Sequence, residues 1–200
     1  MVVPMQDRIR IVLASASPRR ESILNQLGVE HLTVPSRVDE RSIKERDVLA
    51  YTKKLAVLKA SKVAPRFKNS IIIGADTLVA AGSKIFGKPK DKKDAARMLH
   101  ELSGRAHRVT TALCVVDTRS DKKTIRLVST TVRFRKLSDR TIQDYVASGE
   151  PLDKAGAYAI QGRGAALVAS INGDFYNVVG LPVPALLEIL EKLHVYPRSR

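Results

Sequence analysis

The sequence predicts an α/β domain built on a mixed sheet, and three observations carry that expectation. Helical apolar patterns alternate with short apolar runs along most of the chain. Residues 107 to 117 and 124 to 136 are β-rich runs separated by the polar stretch Thr118-Arg119-Ser120-Asp121-Lys122-Lys123, the pattern of a long hairpin. A chain of 200 residues, 44% hydrophobic and 28% charged, can build one substantial core, or two lobes sharing a sheet, but hardly two independent domains. The folded domain is expected over residues 9–195, after a short N-terminal extension (1–8) and before a mobile basic tail (196–200).

Taken in order, Ile9, Ile11, Val12 and Leu13 read as a short buried strand. Ser17 is a candidate N-cap and Pro18 suits a first helical turn, so a helix is expected to Leu27, stopped by Gly28, with Ile23, Leu24 and Leu27 as its apolar stripe. Val48, Tyr51, Leu55 and Leu58 recur at spacings of three and four, which predicts a helix over 46–64 ended by Pro65. Ile71-Ile72-Ile73 reads as a central strand leading into Gly74-Ala75-Asp76-Thr77, with Asp76 just beyond its carboxyl end. After Gly82 and Gly87, Asp91 can cap a helix whose buried face is Ala95, Met98, Leu99 and Leu102 and which Gly104 closes. The hairpin follows, then a helix from Ser138 to Ser148 with the stripe Ile142, Tyr145 and Val146 and the stop Gly149. Residues 153–181 are dense in glycine, as suits backbone turning tightly close to a ligand. A final amphipathic helix is expected from about Pro182 to Leu193.

The formal net charge of +15 predicts attraction to polyanions, whether nucleic acid, nucleotides or an acidic membrane surface. An aromatic fraction of 4% with no Trp argues against a single-strand platform that stacks bases on rings. No apolar run approaches the ~20 residues that span a bilayer, and the opening seven residues lack the pattern of a signal peptide, so the expected compartment is the cytoplasm. The single cysteine, Cys114, excludes an intrachain disulfide and reads as core. His31, His100, His107 and His194 are scattered without metal-ligand spacing.

Candidate chemistry begins at Leu13-Ala14-Ser15-Ala16-Ser17-Pro18-Arg19-Arg20. Basic side chains in a first helical turn oppose the helix dipole, whereas an anion there would be held by free N–H groups, the Ser15 and Ser17 hydroxyls, and the Arg19 and Arg20 guanidiniums. Adjacent arginines on a solvated surface are the alternative. Asp76 can accept a proton from water or bind a divalent cation; a turn-capping aspartate is the other reading. Lys88, in the stiff turn Gly87-Lys88-Pro89, can bind phosphate as a point charge or simply be solvated. Ser36-Arg37-Val38-Asp39-Glu40 supplies carboxylates for a Mg²⁺ site or plain loop charges. No P-loop and no Gly-x-Ser-x-Gly elbow is found.

The motifs together resemble the Maf family of nucleoside triphosphate pyrophosphatases, also called septum formation inhibitor proteins, over nearly the whole chain. The resemblance rests on an ordered set: the Leu13–Arg20 segment, Ser36-x-x-Asp39-Glu40, Leu55-Ala56-x-x-Lys59-Ala60, Gly74-Ala75-Asp76-Thr77, Gly87-Lys88-Pro89, Leu102-Ser103-Gly104-Arg105-x-His107-x-Val109-x-Thr111, Asp153-Lys154-Ala155-Gly156-Ala157-Tyr158-Ala159-Ile160-Gln161-Gly162, and Asn177-Val178-Val179-Gly180-Leu181-Pro182. It implies an elongated mixed sheet flanked by helices with a deep cleft between two lobes, similar to the inosine triphosphatase fold, and a homodimer. It implies hydrolysis of a nucleoside triphosphate to monophosphate and pyrophosphate with Mg²⁺, or Mn²⁺ or Co²⁺. It makes Asp76 the group that activates water, puts Arg19, Thr77 and Gln161 where the family sets nucleotide specificity, puts Ser15, Ser17, Arg19, Arg20, Lys59 and Lys88 on the triphosphate, and makes Glu40 with Asp76 the metal carboxylates.

The pairing of Gly-Ala-Asp-Thr with Ile-Gln-Gly resembles the branch acting on dTTP and UTP, and modified pyrimidine triphosphates suit the same features. The branch acting on 7-methyl-GTP has an acidic residue in place of Gln161. A glutamine amide can donate to a pyrimidine carbonyl and accept from its imide N–H, whereas a carboxylate suits the N–H groups of a guanine edge. The expected role is a house-cleaning enzyme. The rival from another class is a nucleic-acid-binding or division-regulating protein with a vestigial cleft, whose working feature would be its charge and whose binding would fall steeply with salt.

Overall fold

A computed structural model describes residues 9–39, 45 and 47–195. The expected N-terminal extension, the basic tail and Glu40 lie outside the described residues. In chain order the elements are β1 (Arg10–Leu13), α1 (Pro18–Gln26), β2 (Leu32–Thr33), α2 (Val48–Val63), β3 (Ser70–Ala81), β4 (Lys84–Phe86), α3 (Lys92–Leu102), β5 (Ala106–Asp117), β6 (Lys122–Phe134), α4 (Asp139–Ala147), β7 (Val168–Asn172), α5 (Phe175–Val179) and α6 (Val183–Lys192). Four short 3₁₀ turns, Ala64–Arg66, Glu150–Asp153, Ala155–Ala157 and Gly162–Leu167, complete the described residues. The strands form one mixed sheet in the order β2-β1-β3-β5-β6-β7, with β4 paired to β3, so the expected α/β class is borne out.

The chain divides into two units. The first holds the described residues of Met1–Asp76, Thr111–Val128 and Gly180–Arg200. Here β1 runs parallel to both β2 and β3, with Leu13 opposite Thr33 and Ile73. Its core gathers Val12, Ala14, Ala56, Ala60, Val63, Ile72, Ala112, Cys114 and Val116. Burial pushes the Cys114 thiol up to about 11, which leaves it an inert core residue. Ile23 and Leu24 of α1 and Leu186, Ile189 and Leu190 of α6 are also buried.

The second unit holds Thr77–Thr110 and Ser129–Val179. Its helix caps follow the sequence: Asp91 accepts from the Asp94 amide at 2.7 Å and Ser138 from the Thr141 amide at 3.2 Å. The rings of His107, Phe134 and Tyr158 meet edge to face, and His107 Nε2 and Tyr158 Oη share a hydrogen bond of 2.8 Å. Asn177, fully buried, donates to the Val109 carbonyl at 3.0 Å and to Thr130 Oγ1 at 2.9 Å.

One expectation is corrected. The strand predicted to end before Asp76 instead continues to Ala81, so Asp76 stands within β3. Its later residues pair antiparallel with β4 through the tight turn at Gly82, and this pairing carries the strand onward. The buried face of α2 is Thr52, Leu55, Ala56, Ala60 and Val63, and Leu58 is exposed. At Gly74 the helix and the strand meet closely: a Cβ there would lie 2.5 Å from the Ala56 carbonyl oxygen and 2.7 Å from the Ala60 amide nitrogen. Helix backbone and strand backbone meet directly there, so the α2 residues at this point, Ala56 and Ala60, are small. The stop expected at Pro65 is borne out: α2 ends at Val63, and Pro65 lies in the 3₁₀ turn that follows. The glycine-dense stretch also contains β7 and α5, which the sequence pattern did not resolve.

Candidate active site

The loop that leaves β1 is held open by its own serines. Ser15 is buried, and its Oγ accepts the Ser17 amide at 3.1 Å and Arg20 Nη1 at 3.2 Å. Arg20 Nε donates to the Gly180 carbonyl at 2.7 Å, so the guanidinium is oriented by two elements of the first unit. Ser17 occupies the N-cap position of α1 in extended conformation, as expected, but its hydroxyl makes no capping bond. Pro18 at the first helical position needs no partner for a missing N–H. Arg19 lies half-buried in the same first turn.

Lys59 and Asp76 form the second cluster. Nζ of Lys59 lies 2.7 Å from Oδ1 of Asp76, with the two side chains 13% and 16% exposed. Their meeting follows from the close approach at Gly74, because Lys59 precedes Ala60 on α2 and Asp76 follows Gly74 on β3 by two residues. The Ala14 amide donates to the Ile73 carbonyl at 2.8 Å, so β1 and β3 run side by side up to these two clusters. The first unit therefore pairs a carboxylate that can take a proton with an ammonium, and orients a guanidinium at the start of α1, which follows the adjacent strand β1.

Thr77, Lys88 and Gln161 belong to the second unit. Thr77 follows Asp76 along β3. Lys88 is exposed in the Gly87–Pro89 turn, which is tied down by the Gly156 amide donating to the Gly87 carbonyl at 3.1 Å. Gly156 has φ +73, and a Cβ on it would stand 3.0 Å from Val79 Cγ1. Gln161 is exposed, directly after the buried Ile160.

Two residues to which the sequence assigned no functional role, Glu150 and Tyr145, hold the backbone on either side of Gln161. Glu150 Oε1 accepts the Tyr145 hydroxyl at 2.9 Å and the Gly164 amide at 3.1 Å, and Oε2 accepts the Arg163 amide at 3.2 Å. Tyr145 Oη in turn accepts the Ala159 amide at 3.1 Å. The available signal was an acid immediately after a helix stop, Ser148-Gly149-Glu150-Pro151.

Among the described residues no three His, Cys, Asp or Glu side chains gather as a metal cage. No described helix is long and apolar enough to cross a membrane.

Comparison with known proteins adds independent findings. Residues 10–193 match the family model described as Maf-like protein. A dTTP/UTP pyrophosphatase of Aquifex aeolicus is 48% identical over 187 residues, which cover 94% of this chain and 97% of the relative. One from Dictyoglomus thermophilum is 46% identical over 184 residues, covering 92% and 95%. Among solved structures, a HAM1 protein from Coxiella burnetii aligns over 64% of this chain and 73% of its own, with 15% identity and a TM-score of 0.43.

Proposed function

The chain belongs to the Maf family, and on that premise we propose that it is a nucleoside triphosphate pyrophosphatase that hydrolyses dTTP and UTP to the monophosphate and pyrophosphate in a house-cleaning role. The observation that carries the reading is the Lys59–Asp76 pair at 2.7 Å on α2 and β3. It sets a proton acceptor on β3 beside a cation, and β3 runs next to β1, the strand that leads into the Ser15–Arg20 segment.

In the reaction a water oxygen bonds to phosphorus as the bridging bond between the α and β phosphates breaks. The water proton passes to Asp76, and pyrophosphate leaves with the electron pair. Lys59 anchors Asp76 and offers positive charge to phosphate oxygens, and Arg20, oriented by Ser15 and Gly180, offers a second cationic contact. Ser17, Arg19 and Lys88 complete the proposed hold on the triphosphate. Specificity falls to Arg19, Thr77 and Gln161, with the Gln161 amide pairing to a pyrimidine carbonyl and imide N–H.

A divalent cation fits the donor set. Mg²⁺ takes one or two carboxylates and fills its other positions with water and substrate phosphates, so the partly exposed Asp76 with a bound triphosphate suffices, and Glu40 is the proposed second carboxylate. Bound there, Mg²⁺ would polarise phosphoryl oxygens and neutralise charge on the leaving pyrophosphate. A cytoplasmic homodimer is part of the same proposal.

The test is pyrophosphate release from dTTP, UTP, CTP and 7-methyl-GTP with Mg²⁺, wild type against Asp76→Asn. Turnover of dTTP and UTP that collapses in the variant is expected. Preference for 7-methyl-GTP would overturn the assignment of Thr77 and Gln161, and absence of all turnover would favour a nucleic-acid-binding protein.

A further inference from the structure

We infer that Glu150 and Tyr145 are positioning residues for base recognition, clamping the segment that presents Gln161. The inference rests on the proposed role of Gln161 in reading a pyrimidine, and it adds residues that make no contact with the base themselves. Specificity from an amide requires its donor and acceptor to be held within a few tenths of an ångström of their partners. An exposed glutamine in a glycine-flanked turn has no such precision unless its backbone is fixed.

The fixing is visible on both sides of Gln161. Before it, the Ala159 amide donates to Tyr145 Oη at 3.1 Å and the Ile160 side chain is buried. After it, the Arg163 and Gly164 amides both donate to the Glu150 carboxylate at 3.2 and 3.1 Å. The Tyr145 hydroxyl then donates to Glu150 Oε1 at 2.9 Å, which joins the two anchors into one unit. Glu150 is itself held, since Lys154 Nζ donates to its carbonyl at 2.6 Å and its amide donates to Ser148 Oγ at 3.3 Å.

The two glycines of the segment fit the same geometry. A Cβ on Gly164 would lie 2.2 Å from the Ala159 carbonyl oxygen and 2.7 Å from Tyr145 Oη, so the two ends of the turn touch. Gly162 has φ +61, and its Cβ would stand 3.0 Å from Glu150 Oε2. A side chain at Gly164 would press on Ala159 and Tyr145, and one at Gly162 on the Glu150 carboxylate. A carboxylate accepting two backbone N–H groups and a phenol is a strong, directional anchor. All of these residues lie in the second unit, on α4 and the turns that follow it.

The experiment compares kcat and KM for dTTP and dCTP in wild type, Gln161→Ala, Glu150→Ala, Tyr145→Phe and the double variant Glu150→Ala/Gln161→Ala. Gln161→Ala should narrow the dTTP-over-dCTP ratio of kcat/KM about tenfold, the worth of one good hydrogen-bond set. Glu150→Ala should narrow it by a similar factor through KM, with kcat for dTTP changed less than about threefold, and Tyr145→Phe should narrow it about threefold. The double variant should discriminate no worse than Gln161→Ala alone, because the clamp acts only through Gln161.

A Glu150→Ala ratio equal to wild type would overturn the positioning role while leaving the Gln161 assignment standing, as would additive losses in the double variant. Should Glu150→Ala fail to fold, Tyr145→Phe, which keeps the ring, decides the matter by the same ratio. An unchanged ratio in Gln161→Ala would remove the base-reading premise, and the clamp's role in specificity with it.

Discussion

Replacing Gly74 by alanine probes the link between fold and chemistry most directly. The added methyl would lie 2.5 Å from the Ala56 carbonyl oxygen, 2.7 Å from the Ala60 amide nitrogen and 2.9 Å from the Ala60 Cβ. Ordinary contact needs about 3.4 Å or more, so α2 would have to retreat from β3 by something near 1 Å. Two of the three obstacles are helix backbone, which no rotamer change relieves. Overpacking of this kind costs about 1–3 kcal/mol, and the upper end is expected here because a whole helix must shift. For a chain of this length that lowers Tm by about 6–12 °C. The same retreat lengthens the 2.7 Å Lys59–Asp76 contact beyond hydrogen-bonding distance, so kcat/KM for dTTP should fall more than tenfold even below the melting range. The paired assays are thermal unfolding and pyrophosphate release. Adding Ala60→Gly to Gly74→Ala should recover little, since the Ala56 carbonyl and the residue 60 amide remain in the way. Wild-type Tm and activity in Gly74→Ala, or full rescue by Ala60→Gly, would refute the reasoning.

Lys59→Met keeps the stem and removes the charge; its kcat should fall by about 10² or more, with Tm changed by only a few degrees, as steady-state kinetics and melting would show. His107 is buried and its pKa is lowered to about 4 by desolvation. Its folded value thus lies below the unfolded value near 6.5, so the folded state binds fewer protons in between, and this stability is full above pH 6.5 and lost as pH falls toward 4. Urea unfolding should therefore show wild type losing up to about 3 kcal/mol more than His107→Gln between pH 7 and pH 4; parallel losses would contradict this. Asn177→Ala removes two buried hydrogen bonds and should cost about 2–3 kcal/mol by chemical denaturation. Finally, the net charge of +15 should give only weak nucleic-acid binding that vanishes near physiological salt, measured by salt titration, whereas tight binding there would favour the rival function.

Much of the molecule was legible because its signals are local. Asp91 and Ser138 cap their helices three residues ahead, and Gly104 and Gly149 close those helices at positive φ. The hairpin of β5 and β6 was legible from two β-rich runs and one polar turn. The clusters Ser15–Arg20 and Lys59–Asp76 bring together residues that the ordered motifs had already marked. That α2 turns Ala56 and Ala60 toward the sheet was not legible, because the cause is the missing side chain at Gly74 on another element. Asp76 was placed beyond a strand end because the apolar run stops at Ile73; pairing with β4 carries the strand on. Glu150 escaped notice because its partners, Arg163 and Gly164, lie 13 and 14 residues away and offer only backbone amides, which carry no side-chain signature.

By itself, then, the sequence determined the α/β class, most element limits, the order of the polar motifs and the family they mark, all of which rest on capping, periodicity and turn chemistry within a few residues. Tertiary structure alone decided that Asp76 stands inside a strand facing Lys59, that Arg20 is aimed by a carbonyl 160 residues further on, and that Glu150 holds the Gln161 turn. Those outcomes depend on which backbones can approach one another, and the room for that approach is set by the absence of a side chain at positions such as Gly74 and Gly164, a quantity no short window of sequence contains.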